Sequence, residues 1–319
     1  MREKRRWLAR AALLWISSLC VHVTDAAGRF RFLIASSPRL SKVSYVALNV
    51  LRGTTSLIRP LIIPGNEVDS PRGMCVDVPR NRLYVTDPGV TSRKIYWYEL
   101  ESSAEDEIKI KGPGRPAALQ VDANWCAVDH VGNLFFTEAG VNGIKKVPAS
   151  VLIGEGVSSP NSAEVLYTDE KTAELSGPAG LVADNFHLYW GNTVIGQTRG
   201  TIGRAPQMAI YQDASRKIAA NADTVHGVCN VGSHVYFTEK NQKLHAVAKT
   251  GGIITQIADT FVEPRGCAWD GGGSLYVADR QGGAVYELPV NLPQPSKAAA
   301  VTNMFSIEDA FDVALFEAA

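Results

Sequence analysis

Short apolar runs recur along the chain, each closed by polar residues and a turn-forming residue. The run "RLYVTDPG" at 82–89 is one, and "NLFFTEAG", "HLYWGNTV", "HVYFTEKN" and "SLYVADRQ" are others. Aligned, they place Leu83, Leu134, Leu188, Val235 and Leu275 in one column, at spacings of 51, 54, 47 and 40 residues. Another apolar run precedes each one: "GMCVD", "WCAVD", "GLVAD", "GVCNV" and "GCAWD". A third follows, as in "KIYWYEL" and "AVYELPV", then a looser fourth such as "EIKIKG", "AEVLYT" or "IITQIA". Runs this short, bounded by Gly, Pro, Asn and Asp, predict strands rather than helices. No helix of three turns or more is predicted.

Four short strands repeating every 40–54 residues are the sequence form of a β-propeller, one repeat to a blade. A sixth copy is split between the ends of the chain. "RFLIASSPRLSKVSYVAL" at 31–48 matches the second and third strands, with Phe32 to Ser36 in the second-strand role. Its missing first strand is expected near the C-terminus, where 297–316 lines up with 250–270 and "AFDVALF" fills the place. The expected fold is all-β, a six-bladed β-propeller over residues 30–316 whose first blade is closed by a C-terminal strand. The competing reading is a β-sandwich with coincidentally similar strands.

The first 26 residues stand apart. "MREKRRWLAR" is basic, "AALLWISSLCV" is apolar but too short to span a bilayer, and Thr24 and Ala26 suit cleavage. A signal peptide at 1–26 is expected, with an uncleaved anchor or an organellar presequence as the alternative. Its removal leaves 27 basic and 30 acidic residues, a formal charge of −3. Nucleic acid is therefore not an expected partner. No later apolar segment approaches the length of a transmembrane helix, so a secreted chain, or one in the lumen of the secretory pathway, is expected. No N-x-S/T sequon occurs.

The "LYVTD" and "LYVAD" strands resemble the YWTD blades of low-density-lipoprotein-receptor class B propellers and, more loosely, NHL-type blades. The strand-end column reads Asp87, Glu138, Asn192, Glu239, Asp279 and Ser36, a departure from the tight YWTD repeat. The resemblance implies a protein-binding or scaffolding module with another protein as its partner. Propellers of the strictosidine-synthase and gluconolactonase kinds share the shape, so a propeller hydrolase is the alternative function.

In a propeller, the loops leading into each first strand share one face with those joining second and third strands. The first set is read as "SPRG" (70–73), "RPAA" (115–118), "SGPAG" (176–180), "TVHG" (224–227), "EPRG" (263–266) and "IEDAF" (307–311). These loops bring Arg72, His226, Glu263, Arg265, Glu308 and Asp309 to the channel mouth, with Asp87, Glu138, Glu239 and Asp279 further out. Two Arg, one His and several acids suit a polar recognition face. Turn chemistry, with Arg bonding a neighbouring strand-end acid, accounts for the same residues without a ligand. No catalytic residue, metal ligand set or cofactor is expected, since no metalloprotease, nucleophile-elbow, phosphate-loop or dinucleotide pattern occurs in a suitable setting. The connector 149–163 and the loop 192–200 are expected to be exposed excursions.

Four cysteines remain after cleavage. Cys75 and Cys126 belong to adjacent blades, as do Cys229 and Cys267, with the same one-residue offset in each pair. Both pairs bridging neighbouring blades is one expectation, and four buried thiols is the other.

Overall fold

The computed structural model describes residues 30–48, 57–66, 68–89, 93–104, 106–153, 163–193, 200–208 and 214–318. The expected signal peptide and most of the loop 192–200 lie outside them. Six antiparallel sheets follow one another along the chain. Blade 1 is built from both ends: Val313–Ala318 forms its inner strand beside Phe30–Ser37, followed by Lys42–Ala47 and Arg59–Pro60. In that seam Phe32 stands opposite Phe316 on one side and Ala47 on the other. The fold is the expected six-bladed propeller, closed by a C-terminal strand.

The other inner strands are Met74–Asp77, Ala123–Val128, Pro178–Ala183, Val225–Val231 and Pro264–Trp269. The repeated motif supplies each second strand: Arg82–Asp87, Leu134–Glu138, His187–Asn192, His234–Glu239 and Ser274–Asp279. Successive side chains of a strand point to opposite faces, and here both faces are covered by neighbouring blades. Leu83 and Val85 pack with Phe32 and Phe316 of blade 1, while Tyr84 packs with Phe136 of blade 3. Hence the motif is apolar without alternation. Six such apolar layers, one per blade boundary, form the core. A seventh cluster of Trp125, Ala179 and Phe311 sits on the channel axis.

Two segments differ from expectation. "RPAA" at 115–118 is not a mouth loop but part of the strand Arg115–Leu119, paired to the third strand of blade 2. That third strand, Lys94–Ala104, is eleven residues long. The four-residue strand Glu107–Ile110 covers only its far half, leaving the near half for the second segment. Pro116 is tolerated because the segment lies at the sheet edge. The connector after blade 3's third strand begins with one helical turn, Ala149–Leu152. Leu152 is buried there in the layer between blades 2 and 3, so the connector starts inside the fold. Residues 154–162 lie outside the described residues.

One expected bridge is present: Cys229 and Cys267 join the inner strands of blades 5 and 6. Cys75 and Cys126, in the equivalent place between blades 2 and 3, are buried free thiols with sulfurs 2.7 Å apart.

Candidate binding site at the channel mouth

As each blade's inner strand begins, the chain passes close to the axis and turns one side chain toward it. The six are Arg72, Asn124, Ala179, His226, Arg265 and Phe311, and all line one open cavity of about 470 Å³. The backbone shows their equivalence. Gly73 N–H donates to the Asn124 carbonyl at 3.0 Å, and Gly266 N–H donates to the Phe311 carbonyl at 2.9 Å. The residue after each ring position is glycine in four blades because the next blade comes so close. A Cβ on Gly180 would lie 2.5 Å from the His226 oxygen, and one on Gly227 only 2.1 Å from that of Arg265. Blade 3 carries Trp125 there, its ring 4.9 Å from that of Phe311, and blade 1 carries Asp312.

In three blades a hydroxyl just ahead of the strand-end column, Thr86, Thr238 or Ser36, holds this ring in place. Thr238 Oγ1 accepts from Gly227 N–H at 2.8 Å and donates to the Arg265 carbonyl at 2.6 Å. Ser36 Oγ donates likewise to the Arg72 carbonyl, and Thr86 Oγ1 to that of Asn124. Ser36 therefore stands in the threonine place, not in the acid column where the sequence alignment puts it. The following acid receives the backbone of the incoming loop. Asp87 accepts from Asp69, Ser70 and Gly89, and Asp279 from Val262, Glu263 and Gly282. Asn192 accepts from Ser176 in the same way. Glu138 accepts from Asp122 N–H and pairs with Lys145, whereas Glu239 faces His245 at 3.2 Å. Asp87, Glu138, Glu239 and Asp279 are all buried, and their carboxylates serve blade geometry.

Of the remaining candidates, Arg72, His226 and Arg265 meet in the cavity. Arg72 donates to the Asn124 side chain and Arg265 to Glu263. His226 Nδ1 lies 3.1 Å from the Pro264 carbonyl. Burial, reinforced by the Arg265 charge, lowers its pKa to about 4, so the imidazole is neutral at physiological pH and donates through Nδ1. Asp309 is buried and accepts from Arg39 N–H at 2.8 Å and Arg280 Nε at 2.6 Å. It positions Arg280, which also lines the cavity. Glu308 is exposed. Asn124, Trp125, Arg280 and Phe311 were not among the sequence candidates. Aligning "DANWCAVD" with "SPRGMCVD" puts Asn124 beside Arg72, and Arg280 directly follows the last motif acid. Among the described residues, no three His, Cys, Asp or Glu side chains gather closely enough to hold a metal ion.

No protein-family model matches the chain, and no curated protein matches it in sequence. Solved structures match its shape. A chain from the crystal structure of the nidogen/laminin complex superposes with a TM-score of 0.65 at 15% identity, over 90% of this chain and 98% of that one. Hydrazine synthase of Kuenenia stuttgartiensis gives 0.51 at 13% identity, over 80% and 75% of the two chains. At these identities the likeness is one of fold, the six-bladed propeller that the YWTD-like repeats predict. Its neighbours include a chain from a protein complex and one from an enzyme, so function rests on the site.

Proposed function

We propose that this chain is a secreted protein-binding or scaffolding propeller, acting in an extracellular or secretory-pathway complex and meeting its partner through the channel-mouth ring. The supporting observation is the composition of that ring. Six rigid backbone positions present two guanidinium groups, a neutral imidazole, an amide and an aromatic ring around one cavity. Arg72 and His226 are held by hydrogen bonds to the next blade and Arg265 by Glu263, so these side chains lose little further freedom on association. Arginine and aromatic anchors of this kind carry most of the energy in protein interfaces. The nidogen/laminin likeness is in keeping with such a role. The basic and apolar N-terminal segment and the Cys229–Cys267 bridge suit an oxidising compartment.

Parallel affinity purifications from the native source test the reading, with the wild-type chain and the Arg72→Glu, Arg265→Glu double variant as baits. A partner held by the first and lost by the second, with both baits melting alike, is the expected result. Undiminished capture by the double variant moves the contact to the blade sides or the opposite face. N-terminal sequencing of the secreted chain checks the compartment, with cleavage expected near Ala26.

A further inference from the structure

Three guanidinium groups converge on a single aromatic ring at the mouth. Their central carbons lie 5.9, 5.9 and 6.0 Å from the Phe311 centroid for Arg72, Arg265 and Arg280. Arg265 and Arg280 each have a carboxylate partner, Glu263 and Asp309. Arg72 differs: its partner is the neutral Asn124 side chain, and among the described residues no carboxylate lies within ion-pair distance of it. Of the acids whose charge reaches it, Asp122 and Asp309 act more strongly than Asp87; Asp309 is paired with Arg280 and Asp87 accepts from three backbone N–H groups. The Arg265 Nε is buried and has no hydrogen-bond partner. Crowding of like charges shows in the protonation energetics as well. The Arg72 and Arg265 pKa values are lowered by burial, and Arg280 adds to the effect at both. An arginine with no carboxylate partner, lining an open cavity of about 470 Å³ within the size range of small-ligand sites, describes a place prepared for an anionic acceptor.

We propose that the channel mouth is a carboxylate-binding pocket, in which Arg72 provides the open guanidinium and Phe311 with Trp125 forms the apolar floor. A planar carboxylate matches the planar fork of arginine. Its carbon stem lies against the Phe311 and Trp125 rings. The same chemistry is offered by an Asp or Glu side chain of a partner protein and by a free small carboxylic acid. The inference deepens the recognition-face reading and rests on it for the first of these sources.

The test is titration of the folded chain, by calorimetry or ligand-observed NMR, with N-acetylated and C-amidated Asp and Glu. Capped Asn and Gln serve as uncharged counterparts and glutarate as a free acid. The acids are expected to bind at least about tenfold more tightly than the amides, the scale of one charge-assisted hydrogen bond. Arg72→Gln should remove that preference while leaving the melting temperature unchanged. Equal binding of acid and amide by the wild-type chain, a comparison that needs no variant, overturns the proposal. So does an Arg72→Gln chain that binds the acids as well as wild type. Glutarate binding tenfold tighter than the capped acids assigns the pocket to a free acid, and the reverse order assigns it to a partner side chain. Loss of the protein partner on charge reversal without any carboxylate binding sinks this inference but leaves the recognition face standing. Carboxylate binding with partner capture intact does the opposite.

Discussion

Asp312 Oδ2 accepts the backbone N–H of Met74 at 2.7 Å, inside the boundary between blade 1 and blade 2. Its other oxygen accepts from Val313 N–H at 2.9 Å. The residue stands where four other blades have glycine, and it joins the C-terminal turn to the inner strand of blade 2. Burial raises its pKa from 3.8 to about 7, against the two N–H donors that favour the ionised form.

A carboxyl that binds its proton more tightly folded than unfolded weakens the fold as pH rises between the two pKa values. The Asp312 contribution should therefore be fully present below about pH 4 and lost by about pH 7, an effect of at most about 4 kcal/mol. Asp312→Asn should flatten this part of the stability–pH curve. Denaturant melts at several pH values would show it, and an unchanged slope in the variant would refute the assignment.

His226 acts in the opposite sense. Its pKa is lowered to about 4 by burial and then by Arg265, so the unfolded chain takes up the proton first as pH falls below about 6.5. Stability from this site is present above that pH and declines toward pH 4. His226→Gln should abolish the decline while keeping a donor for the Pro264 carbonyl. Melting both single variants and their double separates the two opposing slopes.

The Cys229–Cys267 bridge closes a separation of 38 residues, for which chain entropy predicts about 4 kcal/mol of stabilisation. Replacing both cysteines by serine should cost roughly that much in denaturant melts. Non-reducing peptide mapping should recover this pair and no crossed one such as Cys75 with Cys229. Exposure to a disulfide oxidant is expected to join Cys75 to Cys126, whose sulfurs already touch. Four free thiols in the chain from its native source would overturn the bridge, and a Cys75–Cys126 pair that stays reduced under the oxidant would overturn the second expectation.

Deleting 306–319 removes the inner strand of blade 1, including the buried Val313, Ala314 and Phe316. The exposed edge of Phe30–Ser37 and two stripped apolar layers should lower the melting temperature by many degrees and promote association through the open edge. A truncated chain that melts cooperatively at the wild-type temperature would contradict the closure.

The repeat was legible because each blade must bury both faces of its second strand, which forces the same apolar run at a nearly regular interval. Arg72, His226 and Arg265 were legible because each precedes the glycine that marks the close approach of the next blade. Asn124 was hidden since "RPAA" resembles a mouth loop in residue type, while the length of Lys94–Ala104, which draws that segment into the sheet, has no local signal. Phe311 and Trp125 read as ordinary core residues, because apolar character alone does not distinguish a channel floor from a blade layer. The acids Asp87 and Asp279 were visible as a column. That they turn toward backbone N–H groups and away from solvent depends on loop geometry that spacing does not carry.

Trp125 and Phe311 also change what the axis offers to a visitor. Six equivalent backbones alone would present six indistinguishable orientations, and a bound group would be free to sit in any of them. With Arg, Asn, Ala, His, Arg and Phe in turn around the ring, that rotational degeneracy is removed while the scaffold beneath stays periodic. Specificity in this fold can therefore be rewritten one ring position at a time, each substitution altering the phase of the pattern and leaving the wheel that carries it unchanged.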